Sequence, residues 1–297
     1  MADDTASEEE VVEYAFDDDG NAGPLRMVAV RQARALLLLQ PPARCLTLRC
    51  CTSSSQTAHA RNNNSADTFV SSGDATGHRS SGGAARVLCH WLSRSAGPLA
   101  LRTRRVVELG CGLGLAGLYA ARTAAAVTLT DGDERALALA RRSHALNAAT
   151  LRAAVRFRML PWSADAQLAP LFAGSDVAEG GAACAEDEPH DVPGVLLLGA
   201  DLLYYGGGVA ALMEAIAALL LPVQGRSVPG LAALAANPRY PGWAADVAAA
   251  SSRLGLEAHC LDVQAVLPPA ERSSGWFAHT RLVRLARSFM HSPGVHC

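Results

Sequence analysis

The run Arg105-Val106-Val107-Glu108-Leu109 passes without a break into Gly110-Cys111-Gly112-Leu113-Gly114-Leu115-Ala116-Gly117, and this junction constrains the fold more than any other segment. The short apolar stretch predicts a strand, and Leu113 to Ala124 predicts a helix. Glycines between them permit a tight turn and let a ligand approach bare backbone. A glycine-rich turn on its own has a purely structural reading, since many strand–helix turns use glycine. Here a second strand, Ala126-Val127-Thr128-Leu129-Thr130, follows and ends at Asp131. An acid roughly 20 residues beyond the turn is placed to accept hydrogen bonds from ribose hydroxyls.

Downstream, strand and helix signals keep alternating. Asp133 to Asn147 predicts a long helix, its first-turn acids suited to the helix dipole. Val155 to Arg158 predicts a strand, and Val195-Leu196-Leu197-Leu198-Gly199 reads as a strand buried on both faces. Val209 to Leu221 predicts a helix ended by Pro222, Leu231 to Ala236 a strand, Trp243 to Leu254 a helix and Leu256 to Leu261 a strand. Thr280 to Leu285 alternates, as a last strand wet on one side would. Repeated β–α units imply an α/β fold, a Rossmann-like seven-stranded, mostly parallel sheet with helices on both faces.

Upstream the chain is different. Residues 1–40 read as an acidic tail (Asp3, Asp4, Glu8, Glu9, Glu10) with a strand near Met27 to Val30. Residues 41–83 are rich in Ser, Thr, Asn and Gly, and predict a low-complexity, disordered insertion. Residues 84–288 carry the predicted domain, opened by a helix from Ala84 to Arg94, and 289–297 a C-terminal tail.

Composition excludes several chemistries. The 297 residues include no lysine, which rules out a Schiff base, a lysine general base and a Tyr-x-x-x-Lys proton relay. The eight cysteines form no CxxC pair, so neither a metal site nor a disulfide framework is expected. A net charge of −2 and a pI near 6.5 speak against nucleic-acid and membrane partners. The acidic N-terminus and the absence of a long apolar run predict a cytoplasmic protein, with the nucleus as the alternative.

Gly112-x-Gly114-x-x-Gly117 also satisfies the dinucleotide pattern, so NAD competes for the turn. Glu108 argues against it, because a carboxylate at the strand tip repels a pyrophosphate and tolerates a zwitterionic sulfonium ligand. His90, on an apolar helix face, reads as packing, and Cys111 as a small residue rather than a nucleophile.

The whole arrangement resembles the class I, seven-β-strand methyltransferases, and within them methyltransferase family 16, the non-histone protein-lysine methyltransferases. The resemblance runs from about Ala84 to Leu285. It is carried by Val106 to Gly112, Val127 to Asp131, Leu160-Pro161-Trp162, Gly199-Ala200-Asp201-Leu202-Leu203-Tyr204, and Arg239-Tyr240. The glycine turn is common to many methyltransferases, whereas Asp-x-x-Tyr after the fourth strand, with a Trp before it, is particular to this group.

The resemblance implies S-adenosyl-L-methionine as cofactor and a protein substrate, such as a chaperone or other non-histone protein, methylated on lysine by a monomeric enzyme. Glu108, Gly110, Cys111 and Gly112 would contact the methionine part and backbone of the cofactor, and Asp131 the ribose. Trp162 would pack on the adenine, and Ala200 would line the methionine end. Asp201 and Tyr204 would be the catalytic pair, shaping the site where the acceptor amine arrives. Gly82 stands where relatives carry a cofactor-contacting Trp, a departure that bears on activity more than on fold. Two other functions share the same cofactor half: a small-molecule methyltransferase, and a catalytically silent cofactor-binding or scaffold protein.

Overall fold

The computed structural model describes residues 7–16, 23–32, 78–79, 83–95, 99–162, 194–203, 206–220, 230–273 and 277–287. Ten strands are present among them: β1 (Ser7–Tyr14), β2 (Leu25–Gln32), β3 (His78–Arg79), β4 (Arg105–Leu109), β5 (Ala126–Asp131), β6 (Ala154–Met159), β7 (Leu196–Ala200), β8 (Leu231–Ala236), β9 (Leu256–Leu261) and β10 (Arg281–Arg287). The helices are α1 (Gly83–Ser95), α2 (Leu115–Ala121), α3 (Glu134–Asn147), α4 (Gly206–Leu219), α5 (Trp243–Arg253), and two single turns, α6 (Val263–Val266) and α7 (Pro269–Arg272).

Seven strands form the main sheet in the order β6-β5-β4-β7-β8-β10-β9. The pairs β4–β5, β4–β7, β5–β6 and β7–β8 are parallel, and β10 runs antiparallel between β8 and β9. The strand order reverses at β4, so the carboxyl ends of β4, β5 and β7 meet at the switch point where α/β folds bind ligands.

Side chains alternate across each strand and so divide the core in two. Val106, Val127, Leu196, Leu198, Ala233 and Ala235 pack with α1, α2 and α3. Their neighbours Val107, Leu109, Leu197, Ala232 and Leu234 pack with α4 and α5 on the other side. A sheet apolar on both faces needs helices on both faces, which is the three-layer arrangement expected from the sequence. The start of the sheet is stitched by Arg104, whose guanidinium donates to the carbonyls of Leu99 at 2.6 Å and Gly194 at 3.2 Å.

The N-terminal region departs from the expected acidic tail. Glu8, Glu9 and Glu10 lie in β1, which pairs antiparallel with β2 over eight residue pairs. The end of the expected insertion is also structured, with His78 and Arg79 pairing to Arg31 and Val30. Residues 41–77 lie outside the described residues. The hairpin is held because Leu25 and Met27 are fully buried while Arg26 between them faces outward, the period-two signature of a half-buried strand. It docks on α3 through hydrogen bonds from Arg26 N–H to Asn147 Oδ1 (2.9 Å) and from Val28 N–H to Ser143 Oγ (2.9 Å).

The last strand, whose alternation predicted one wet face, has Arg281 and Arg284 exposed and lies between β8 and β9. The chain after β9 forms α6 and α7, the first capped by Asp262 accepting from Gln264 N–H. No described helix is long and apolar enough to cross a membrane.

Candidate functional site

The turn after β4 is built on left-handed backbone. Gly110, Gly112 and Gly114 have φ of 55°, 54° and 84°, conformations that cost a residue with a side chain about 1–2 kcal/mol. The elbow is then fixed by its neighbours. Cys111 N–H donates to Thr130 C=O at 2.8 Å, and the Thr130 hydroxyl donates to Glu108 C=O at 2.8 Å. Gly117 allows α2 to press on β5, since a Cβ there would lie 2.2 Å from Leu129 Cδ2 and 2.6 Å from Glu108 Oε2.

Asp131, at the tip of β5, faces this elbow. Its Oδ2 accepts from Gly112 N–H at 2.8 Å and its Oδ1 from Asp133 N–H at 3.0 Å. Burial raises its pKa, and these backbone donors oppose that rise. A carboxylate offers about four acceptor positions, so further donors from a ligand can be taken.

Glu108 does not project from the strand tip. It is 1% exposed and its Oε2 accepts from Gly117 N–H at 2.8 Å, beneath the elbow. Burial pushes its pKa to about 8. The repulsion of a pyrophosphate expected from a charged Glu108 therefore fails at neutral pH, because the group is largely protonated. Cys111 is buried, its thiol pKa raised by burial and by the neighbouring carboxyl groups, which fits a small packing residue.

Trp162 stands over the elbow. A Cβ on Gly110 would lie 3.2 Å from its ring, and 2.7 Å from Leu202 Cδ2. The indole is partly exposed, packs on the α4 side of the core, and its Nε1 is buried with no hydrogen-bond partner among the described residues.

Ala200 ends β7 and is partly exposed. Asp201 follows with φ of 57°, unusual for a residue other than glycine. Its side chain is 11% exposed. It does not cap α4. Oδ1 accepts from Asn237 N–H at 3.0 Å, and Oδ2 faces Arg239 Nη2 at 3.5 Å. Asp201 thus ties the end of β7 to the loop after β8. Strain of this kind clusters at working sites. Tyr204 and Gly82 lie outside the described residues.

Sequence reasoning counts the Arg239-Tyr240 pair among the segments that carry the resemblance but assigns it no contact. In the structure Arg239 is the cation facing Asp201, a connection that no spacing between residues 201 and 239 announces. Beside it, burial and the nearby Asp246 carboxylate raise the Tyr240 hydroxyl to about 12, keeping it a neutral phenol. His90 packs edge-on to Phe16 and faces Glu271 at 3.2 Å, which agrees with a structural histidine.

The strand order, the antiparallel β10 and the elbow opposite an acid make a Rossmann-like, mostly parallel α/β sheet with its ligand edge at the switch point. Residues 79–176, about a third of the chain, match the model of a family described as lysine methyltransferase. No curated protein sequence matches the chain. Among solved structures, it is similar to magnesium protoporphyrin IX methyltransferase from Synechocystis with bound SAH (14% identity, 69% of this chain and 83% of that one, TM-score 0.42). It is also similar to a TehB-like SAM-dependent methyltransferase from Corynebacterium glutamicum (18%, 70% and 88%, 0.41). A 16S rRNA methyltransferase of T. thermophilus in complex with AdoMet and guanosine is a further likeness (15%, 94% and 51%, 0.44).

S-adenosylmethionine is the cofactor implied by the matching family, and the residues fit it. The elbow offers bare backbone, Asp131 has spare acceptor capacity, and Trp162 presents a flat apolar ring with an unmet donor.

Proposed function

We propose that this protein is an S-adenosylmethionine-dependent methyltransferase whose acceptor is a lysine side chain of a non-histone protein. The observation that carries the reading is the bond from Gly112 N–H to Asp131 Oδ2, which locks the elbow of β4 to the acid of the adjacent parallel strand. In this reading Asp131 receives the ribose hydroxyls, Trp162 covers the adenine, and Ala200 borders the methionine end. Gly110, Cys111 and Gly112 supply backbone, while Glu108 supports the elbow from below. The lysine acceptor is supported by the description of the matching family.

The bound donor supplies an electrophilic methyl group on a sulfonium. The chain's own task is to present an uncharged amine within about 3–3.5 Å of it and to exclude water. A lysine ammonium has no lone pair and must first lose its proton. Asp201 would orient the arriving ammonium through a charge-assisted hydrogen bond, with Tyr204 as its aromatic neighbour, while desolvation favours the neutral amine. Alignment and desolvation carry the rate in this scheme, and no separate base is required.

The test uses two readouts. Calorimetry with S-adenosylmethionine should show binding, and NADH should show none. With tritiated donor and a cell lysate, a labelled protein band should appear whose label resides in methyl-lysine. The absence of lysine in this chain removes self-methylation of lysine as a background. Label in small molecules alone would overturn the protein-lysine reading.

Asp201→Asn is the informative variant. Asn tolerates the left-handed conformation and keeps an acceptor for Asn237 N–H, but lacks the charge. Transfer should fall by about 100-fold with donor affinity nearly unchanged. Full turnover in this variant would remove Asp201 from the site.

A further inference from the structure

Beside Asp201 an open cleft of about 350 Å³ lies between the loop after β8 and the start of β10. It is lined by Arg239, Tyr240, Trp243, His279 and Arg281 together with two prolines. The antiparallel pairing that sets Arg281 opposite Ala236 brings His279 and Arg281 to the carboxyl edge of β8. The described lining residues therefore include two guanidinium groups, an imidazole and two aromatic rings, and no carboxylate among them.

Asp201 faces Arg239, and Asp246 lies beside the neutral Tyr240 hydroxyl. Arg281 is exposed and donates only to the carbonyls of Ala278 and Thr280 among the described residues, at 3.2 and 3.0 Å. Arg239 is about half exposed and its contact with Asp201 is long at 3.5 Å. An ammonium arriving at Asp201 competes with that guanidinium and leaves it facing the cleft.

From this placement we propose that the cleft is a specificity subsite, which takes an acidic side chain of the substrate polypeptide close to the lysine to be methylated. It rests on the protein-lysine reading and names what that acceptor carries beside its lysine. Two guanidinium groups supply forked donors that match a carboxylate. Tyr240 and Trp243 provide flat surfaces for the peptide backbone and for aliphatic stems. Two guanidinium groups in one cleft match a single side-chain carboxylate rather than the run of phosphates along a nucleic acid.

The experiment separates binding from chemistry. Fluorescein-labelled peptides carrying one lysine flanked by Glu, Gln or Arg are assayed for transfer of tritiated methyl. The same peptides with norleucine in place of lysine are titrated by anisotropy. Glu-flanked peptides should bind about tenfold more tightly than Gln-flanked ones, the value of one charge-assisted contact. Arg281→Glu should abolish or invert that preference through KM, leaving kcat and donor binding unchanged. Equal binding of Glu and Gln peptides, a preference that survives Arg281→Glu, or tighter binding of a single-stranded RNA oligonucleotide would overturn the subsite. Acidic preference without methylation of any lysine would sink the lysine reading while the cleft stands. Methylation indifferent to flanking charge would do the reverse.

Discussion

Glu108 is the residue at which burial changes the chemistry expected of it. Its pKa, about 8 in the fold against an ordinary carboxylate value when unfolded, means the native protein holds a proton that the unfolded chain releases. This contribution to stability is complete below the unfolded pKa and disappears as pH rises through about 8. Glu108→Gln keeps the shape and removes the titration. The stability difference between wild type and Glu108→Gln should therefore shift by several kcal/mol against the wild type between pH 5 and 9, measured by urea denaturation. A cationic donor above the elbow favours the ionised form, so donor binding near pH 7 should release protons. Calorimetry in buffers of differing ionisation enthalpy would detect them. Gly117 is equally sensitive, for steric reasons. Gly117→Ala should cost about 1–3 kcal/mol and weaken donor binding, because neither Leu129 nor Glu108 can withdraw without disturbing the elbow.

At the scale of elements, the hairpin of β1 and β2 is held to α3 by Ser143 and, with two hydrogen bonds to Arg26, by Asn147. Asn147 accepts from Arg26 N–H and donates to Arg26 C=O at 2.6 Å and to Ser143 C=O at 2.6 Å, so it closes the backbone of β2 as a neighbouring strand would. Asn147→Ala should cost about 2 kcal/mol by leaving partly buried backbone groups unmatched. Hydrogen exchange should speed up in β1 and β2 and stay slow in β4, β5 and β7, whose bonds lie in the main sheet. Loss of protection across the whole sheet would show that the hairpin and the main sheet unfold as one unit. The engaged Asp201 belongs here as well, since its bond to Asn237 N–H joins two strand ends and makes the acceptor side of the site a product of β7 and β8 together.

For the whole molecule, the switch point decides where the site is. β4 pairs with β5 on one side and β7 on the other, and the chain leaves all three at the same edge. In the proposed reading a donor seated there would meet residues at the ends of β4, β5, β6 and β7, so binding should stabilise the main sheet as a unit. At a donor concentration of about 100 Kd the gain is about 2.7 kcal/mol, which should raise Tm by about 5 °C or more. Thermal unfolding with and without S-adenosylmethionine measures this, with NADH as the control that should leave Tm unchanged.

Periodicity and glycine placement determined a great deal without any coordinates. The bounds of β4 and β8 were legible to the residue because each is a short, mostly apolar run closed by a turn residue. Those of β9 were legible from the Gly255 before it and the Asp262 after it, and the layered α/β fold follows from their alternation with helices. The elbow and Asp131 were legible too, since left-handed backbone demands glycine at particular positions. Local sequence could not show the inward turn of Glu108, which depends on the approach of Gly117, nor its raised pKa. It could not show that an acidic N-terminal run pairs as a strand, because the partner, β2, and the docking residue, Asn147, are remote in the chain. The union of Asp201 with Asn237 and Arg239, and the cationic cleft beside it, exist only where β7, β8 and β10 come side by side. Hydrophobic pattern is a property of neighbours in sequence, whereas burial, charge pairing and strand order are settled by residues that meet only on folding.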